Sequence, residues 1–232
     1  MQIGIITAPR KVNYFTQSLD SLMNELYASE STIRPYVFAE PDAYIPALAK
    51  THCAVFKNMQ KKGHLWNWLD GLSYMVHTHT NEQFFIVCED DIQWTVESYT
   101  KLLDAVDLID ADVYSPYCSL INGKLDVEPG WHVPTIVKHH GYGGALCLCF
   151  SRLAATRLLE SKEFFMGVAK DKHLDKAIGE TIMTHLKLRL VNHMPTLIYH
   201  LGTESSLWDI DHSREYRARQ PYSSIMQTSV RQ

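Results

Sequence analysis

Three adjacent acidic residues, Glu89-Asp90-Asp91, directly follow an uninterrupted apolar run over 84–88. Neighbouring carboxylates repel one another, and the end of a buried strand offers little solvent, so a positive group is expected beside them. Ligands of open α/β sheets bind beyond the carboxyl ends of the strands, where a hard divalent cation would neutralise such a cluster. Alternation along an extended segment predicts that Glu89 and Asp91 point to one side and Asp90 to the other. The alternative is that one acid caps the helix starting near Val96 and the others are solvated.

A further candidate ligand lies in the segment 199–206, where His200 closes a short apolar run and Gly202 lets the backbone turn. By itself, a histidine in this position is more often a packed or surface residue than a metal ligand. Combined with the acidic residues, it completes a set of two carboxylates and one imidazole. That set suits Mn²⁺ or Mg²⁺ with positions left open for phosphate oxygens.

The end of the first strand carries a hydroxyl on Thr7 and a guanidinium on Arg10, where a doubly wound sheet would place a nucleotide. Arginine binds phosphate through a two-pronged fork of N–H donors. The alternative is that both residues merely shape the loop before the next helix. The sequence has no Gly-x-Gly-x-x-Gly fingerprint and no Gly-Lys-Ser/Thr phosphate loop, so neither dinucleotide nor P-loop binding is indicated.

Bringing these residues together requires a sheet, and the front half of the chain has the alternating pattern of βαβ units. Short β-rich runs at 3–7, 35–39, 53–56 and 84–88 alternate with apolar residues at helical spacing over 15–26, 65–76 and 99–106. Beyond residue 110, turn clusters separate short strands. There Ser151 is expected to cap a helix, 174–186 has an amphipathic pattern, and 188–200 indicates two strands around Met194-Pro195.

Composition and charge limit the class of protein. The chain has 232 residues, 46% hydrophobic and 21% charged, which is typical of a folded protein. A net charge of -4 argues against binding to nucleic acid or anionic lipid through a broad positive field. The five cysteines form no CxxC pair and lie mostly in apolar runs, as buried thiols in a reducing compartment do. No segment approaches the ~20 apolar residues that span a bilayer, and the amino-terminal apolar segment is too short for a signal peptide. We therefore expect a cytoplasmic protein without a membrane partner.

The order of these motifs resembles the GT-A class of nucleotide-sugar glycosyltransferases over residues 3–208. The shared features are a Thr-x-x-Arg exit from the first strand, a Gly-x-x-x-Asn element at Gly63 and Asn67, the acidic triplet, a Gly-Gly strand, an Asp-led helix and a late His-x-Gly. The resemblance implies an α/β fold of the GT-A type, a Rossmann-like mixed sheet flanked by helices with an irregular acceptor half. It implies one catalytic domain over 1–210, with nucleotide-sugar binding in 1–110 and the acceptor half in 111–210. A polar tail follows over 211–232.

The resemblance also implies roles for individual residues. Glu89 and Asp91 match the ends of the family's Asp-x-Asp metal motif, with Glu in place of the first Asp. Asp91 would ligate Mn²⁺ or Mg²⁺, Glu89 would reach the ribose or a metal-bound water, and His200 would complete the coordination. Contacts with the nucleotide or sugar are implied for Thr7, Arg10, Glu40 or else Asp42, Asn67, Glu89, Asp90, Gly143 and Gly144.

In inverting members of this class, an acid at the start of a helix activates the acceptor hydroxyl. By resemblance this base is Asp175, with Asp171 as the second candidate; the alternative is that Asp171 caps the helix and Asp175 is a solvated first-turn acid. Trp131 either stacks on a sugar or base ring or is a core aromatic. Trp66 and Trp68 are interpreted as packing residues.

The implied donor is a UDP-sugar, and the implied acceptor hydroxyl belongs to a glycan, a protein, or a hydroxymethylated DNA base as in phage DNA modification. Basic residues at Lys57, Lys61, Lys62 and His64, with an Arg- and Tyr-bearing tail, favour DNA, whereas the acidic net charge disfavours it. Two other functions stay open. A metal-dependent phosphohydrolase or nuclease would also need clustered carboxylates and a histidine, and a binding protein could keep the nucleotide-sugar pocket without turnover.

Overall fold

The computed structural model describes residues 1–118, 128–134, 144–162, 164–166, 178–179 and 181–202. Within these ranges the helices and strands of the front half follow the predicted order, with two additions that the sequence analysis does not predict, a short helix over 47–52 and a short strand over 92–94. They are β1 (Gln2–Thr7), α1 (Phe15–Ala28), β2 (Tyr36–Ala39), α2 (Ala47–His52), β3 (Ala54–Lys57), α3 (His64–Thr78), β4 (Phe84–Glu89), β5 (Ile92–Trp94), α4 (Ser98–Leu108), β6 (Val113–Ser115), β7 (Gly130–His132), β8 (Cys147–Ser151), α5 (Arg152–Leu159), β9 (Leu190–Met194) and β10 (Ile198–His200), with a π-helical turn at Thr181–His185.

Eight of these strands form one mixed sheet in the order β3-β2-β1-β4-β8-β6-β9-β7. The four strands β3, β2, β1 and β4 are parallel. Their last residues, Lys57, Ala39, Thr7 and Glu89, therefore lie along one edge of the sheet. The antiparallel partner of β4 is β8, and the segment before it reaches the same edge, because the Glu89 amide donates to the Leu146 carbonyl at 2.9 Å.

Helices cover both faces of this sheet. On one face, α3 and α5 pack on the sheet around Trp68 and Leu72; on the other, α1, α2 and α4 pack around Leu19 and Leu102. Residues 84–88 of β4 are all apolar, as expected for a strand in the middle of the sheet that is buried on both faces. The carboxyl edge is left as the place where polar side chains can gather.

A separate two-stranded sheet pairs β5 with β10 in antiparallel fashion, with His200 opposite Ile92. The sequence analysis has no strand at β5, which is three residues long and lies directly after the acidic triplet. This short pairing decides the position of His200, because it fixes the end of β10 beside the residue that follows Asp91.

Several local predictions are confirmed. Ser151 caps α5 by accepting a hydrogen bond from the Ala154 amide at 3.2 Å. Two strands lie on either side of Met194-Pro195, and all five cysteines are free and buried. In the described part of the chain no helix is both long and apolar enough to cross a bilayer. Asp171, Asp175, Gly143 and the tail over 211–232 lie outside the described residues.

Candidate functional site

Arg10 lies among the three carboxylates of the acidic triplet. Its Nε donates to Asp90 Oδ1 at 2.8 Å, its Nη1 lies 2.9 Å from Asp91 Oδ2, and its Nη2 lies 3.4 Å from Glu89 Oε2. The Arg10 side chain is 13% exposed. The positive group that the sequence requires beside the triplet is therefore, in this structure, a guanidinium from the neighbouring strand exit.

The prediction that Asp90 points away from Glu89 and Asp91 is wrong, because all three side chains contact Arg10. Alternation holds along an extended chain, but β4 ends at Glu89 and the chain turns at Asp90 and Asp91. The alternative that one of these acids caps the next helix does not hold either. The first amides of α4 are bound instead by Glu25 of α1, which accepts from the Tyr99 amide at 3.1 Å.

His200 lies against Asp91, although the two residues are 109 positions apart. His200 Nε2 is 3.0 Å from Asp91 Oδ2, and the Leu201 amide donates to the Asp91 carbonyl at 2.7 Å. A Cβ atom added at Gly202 would lie 2.5 Å from Asp91 Oδ2 and 2.9 Å from His200 Nε2. Gly202 therefore allows the close approach of this acid and imidazole. The convergence that the sequence predicts for these segments is present.

His64 is a site residue that the sequence analysis missed, since it appears there only as part of a basic cluster. Its Nε2 is 3.3 Å from Glu89 Oε1. It is the first residue of α3, directly after Gly63, whose φ of 87° favours glycine. The available signal was the Gly-His start of the Gly-x-x-x-Asn element, which begins a helix at the carboxyl edge of the sheet.

Glu40 and Asn67 support the loops around the site. Glu40 is 1% exposed and accepts hydrogen bonds from the Lys62 and Gly63 amides, each at 2.9 Å, which holds the start of α3 in place. The side chain of Asn67 donates to the Phe38 carbonyl at 2.9 Å and accepts from that of Asn58 at 2.9 Å. In this arrangement both side chains bind protein groups, and their contact with a nucleotide stays a prediction.

The other predicted residues that the structure describes differ in their surroundings. The Thr7 hydroxyl donates to Asp90 Oδ2. Gly144 has a φ of 95° before β8, whereas Asp42 is exposed. Trp131 is half-buried and meets the ring of His193 edge-on at 5.3 Å.

The basic cluster predicted as a DNA contact is partly paired with acids. Lys62 forms an ion pair with Asp70, and His64 contacts Glu89, so acids face two of the four members of this cluster.

Of the two tryptophans of α3 that were interpreted as packing residues, Trp68 is fully buried. Trp66 is instead 51% exposed and stacks on Phe165 with ring centroids 6.3 Å apart.

Burial raises the pKa of a carboxyl group, and a nearby positive charge lowers it, so the balance differs between the acids of the triplet. Burial alone would raise the pKa of Glu89, but the positive charges of His64 and Arg10 hold that pKa at about 2. Burial raises the pKa of Asp90 to about 6, because the opposing effect of Arg10 is offset by the like charge of Asp91. Neighbouring carboxyls of one triplet thus differ in their tendency to hold a proton.

The acids of the triplet raise the pKa values of the two basic side chains beside them. Burial alone would lower the pKa of His200, but the hydrogen bond and charge of Asp91 raise it overall. The pKa of Arg10 is raised despite its burial, because three carboxylates surround it. Arg10 therefore remains charged at every pH at which the protein is folded, and it provides a fixed positive charge at the carboxyl edge.

Solved structures resemble this chain, although no protein-family model and no curated protein matches its sequence. S. aureus TarS 1-349 in complex with UDP-GlcNAc is 13% identical, with a TM-score of 0.57 over 89% of this chain and 60% of that chain. A protein described as a nucleotide-diphospho-sugar transferase, from Desulfovibrio desulfuricans G20, is 12% identical, with a TM-score of 0.50 over 99% and 96% of the two chains. This chain has a GT-A-like glycosyltransferase fold. The mixed sheet flanked by helices that the sequence predicts is confirmed.

A GT-A-like fold raises the question of a divalent cation, and Asp91 and His200 are side chains of the types that bind one. Asp91 Oδ1 is buried and has no hydrogen-bond partner among the described residues. The 3.0 Å between His200 Nε2 and Asp91 Oδ2 is a hydrogen-bond distance, and Arg10 Nη1 lies 2.9 Å from the same oxygen. The described ranges contain no group of three or more His, Cys, Asp or Glu side chains that could hold a metal ion. A metal requirement, with Glu89 as third ligand, stays a prediction.

Replacing Gly202 by alanine is expected to separate Asp91 from His200, because the new Cβ would overlap both. We expect a loss of stability of about 1–3 kcal/mol and a roughly hundredfold loss of sugar transfer, since a shift of ~1 Å in a reacting group costs about that much. Urea unfolding and donor hydrolysis measure the two effects. The control is Gly71→Ala, which crowds Phe38 and Ile6 in the core and should destabilise the protein while sparing transfer. Equal activity of the two variants would contradict a role for the Asp91–His200 approach.

Proposed function

We propose that this chain is a glycosyltransferase that moves a sugar from a UDP-sugar to an acceptor hydroxyl with inversion. The observation that carries the proposal is the meeting of Arg10, the acidic triplet and His200 at the carboxyl edge of the parallel strands. Ligands of open α/β sheets bind at this edge. The donor class is supported by the TarS structures of similar fold, which were solved in complex with UDP and with UDP-GlcNAc.

In the proposed reaction the leaving nucleoside diphosphate gains negative charge as the bond to the sugar breaks. Fixed positive charge aimed at that point lowers the barrier because it needs no reorganisation during the reaction. Arg10 provides a permanent charge, and His64 holds Glu89 in place beside it. A divalent cation on Asp91 and His200 would act as a Lewis acid toward the two phosphates.

The acceptor hydroxyl must lose a proton as it attacks the sugar. A carboxylate within hydrogen-bond reach of that hydroxyl serves as general base. We propose Asp175 for this role and keep Asp171 as the second candidate, both on the basis of the family resemblance.

The test is a thermal-shift screen of UDP-, GDP- and CDP-sugars with and without Mn²⁺, followed by an assay of donor hydrolysis. A ligand at a hundred times its Kd stabilises the native state by about 2.7 kcal/mol, which for a chain of this size is a Tm rise of roughly 5–10 °C. We expect that rise for UDP-sugars in the presence of Mn²⁺, with slow release of free sugar.

Other results would contradict the proposal in distinguishable ways. Phosphate released from UDP itself would indicate a phosphohydrolase. Binding of UDP-sugars with neither hydrolysis nor transfer would indicate a binding protein. If no sugar nucleotide raises the Tm, the proposed donor site is wrong.

A further inference from the structure

Arg10 and a divalent cation would use the same carboxylate. Asp91 Oδ2 lies 2.9 Å from Arg10 Nη1 and 3.0 Å from His200 Nε2, and Asp91 Oδ1 is buried without a hydrogen-bond partner among the described residues. The Asp91 side chain is 2% exposed, so water cannot easily replace a lost partner. The acid that fits a metal ion is thus already paired with a buried guanidinium.

A divalent cation bound by Asp91 and His200 would lie within a few ångströms of that guanidinium. Like charges so close together, away from bulk water, repel strongly. Arg10 cannot escape the repulsion by losing its proton, since an arginine stays charged in proteins. One of its contacts must therefore change when a cation binds.

The geometry indicates which contact changes. Arg10 is also held by Asp90 through Nε at 2.8 Å and by Glu89 through Nη2 at 3.4 Å, and Asp90 is itself bound by the Thr7 hydroxyl. These two contacts can keep the side chain in place while Nη1 leaves Asp91. A buried guanidinium with an unpaired nitrogen is costly, so Nη1 needs a new anionic partner, and a diphosphate oxygen is the partner that matches its geometry.

We propose that Arg10 is a resident counter-cation that exchanges Asp91 for the donor diphosphate when a divalent cation binds. The inference rests on the proposed function and adds a coupling to it. A divalent cation or a diphosphate that binds alone must compete with the Asp91–Arg10 ion pair. When both bind, the cation pairs with Asp91 and the diphosphate pairs with Arg10, so neither side chain is left without a partner. Metal and nucleoside diphosphate therefore bind cooperatively, and each raises the affinity of the other by the same factor.

The test measures Mn²⁺ binding by electron paramagnetic resonance, which needs no catalytic turnover. The full chain is compared with Arg10→Gln, and with Lys11→Gln as a control that removes one exposed positive charge next in sequence. Without nucleotide, Arg10→Gln should bind Mn²⁺ at least tenfold more tightly than the unmodified chain, and Lys11→Gln should change the affinity less than threefold. Saturating UDP should raise Mn²⁺ affinity at least tenfold in the unmodified chain and less than threefold in Arg10→Gln.

Arg10→Lys is a second variant in case Arg10→Gln does not fold, which circular dichroism will show. A single ammonium cannot span three carboxylates, so this variant should also bind Mn²⁺ more tightly without nucleotide. Equal or weaker Mn²⁺ binding by the folded variants would overturn the proposal. So would a gain that persists at saturating UDP, because simple repulsion would explain it. Tighter Mn²⁺ binding by Arg10→Gln in a protein that binds no UDP would support competition at Asp91 while contradicting the proposed function and the exchange onto phosphate.

Discussion

Replacing Asp91 by asparagine is expected to lower sugar transfer at least a thousandfold while leaving the protein folded. The substitution keeps the side-chain volume and leaves the Asp91 carbonyl free to accept from the Leu201 amide. It removes the charge that would hold a divalent cation together with His200. Lewis-acid stabilisation of a leaving group is worth several kcal/mol, and about 4 kcal/mol corresponds to a thousandfold change in rate.

The measurement is initial-rate transfer or donor hydrolysis at saturating UDP-sugar and Mn²⁺, with Mn²⁺ affinity measured in parallel. Asp104→Asn is the matched control, because Asp104 is exposed on α4, and its rate should stay within twofold of the unmodified chain. We expect Mn²⁺ affinity to fall at least tenfold for Asp91→Asn. A transfer rate within tenfold of the unmodified chain would contradict the role proposed for this carboxylate.

The substitution Asp175→Asn is expected to slow transfer by roughly a hundred- to ten-thousandfold, the usual contribution of a general base. An amide cannot take the proton of the acceptor hydroxyl at neutral pH. UDP-sugar binding should be unchanged, since the base acts on the acceptor and not on the donor. Transfer by the unmodified chain should rise with pH as the base loses its proton, and Asp175→Asn should lose that rise.

Asp171→Asn is the informative comparison, because it lies on the same segment and was the second candidate. We expect less than a tenfold loss of transfer for this variant. A larger loss for Asp171→Asn than for Asp175→Asn would reverse the two assignments. Two variants that both transfer sugar normally would show that neither carboxylate is the base.

The fold could be predicted largely from local patterns. The apolar run of β4 and the helical spacing on α1, α3 and α4 each depend on residues close together in sequence, which is why periodicity identifies them. The same patterns missed β5, whose three residues gain their structure by pairing with β10 more than a hundred positions later. A short strand with a distant partner leaves no local signal.

The sequence predicts most of the residues of the site but not which of them contact one another. The acidic triplet, Arg10 and His200 were each recognised from position at a strand end, and the structure brings them together. His64 was missed because its partner, Glu89, lies across a helix–strand contact. Glu40 was expected at the nucleotide, yet in the structure its carboxylate accepts from two backbone amides. Burial and hydrogen-bond geometry decide such roles, and one sequence does not show them.

By itself, the sequence determined that acids, a guanidinium and an imidazole stand at strand ends, because hydrophobic periodicity fixes where strands stop. Only the tertiary structure decided that Arg10 stands among the three acids and that Glu89 faces His64. Those outcomes depend on parallel pairing of β1 with β4 and on the β5–β10 register. These contacts join residues far apart in sequence, and their positions depend on how distant strands pack together.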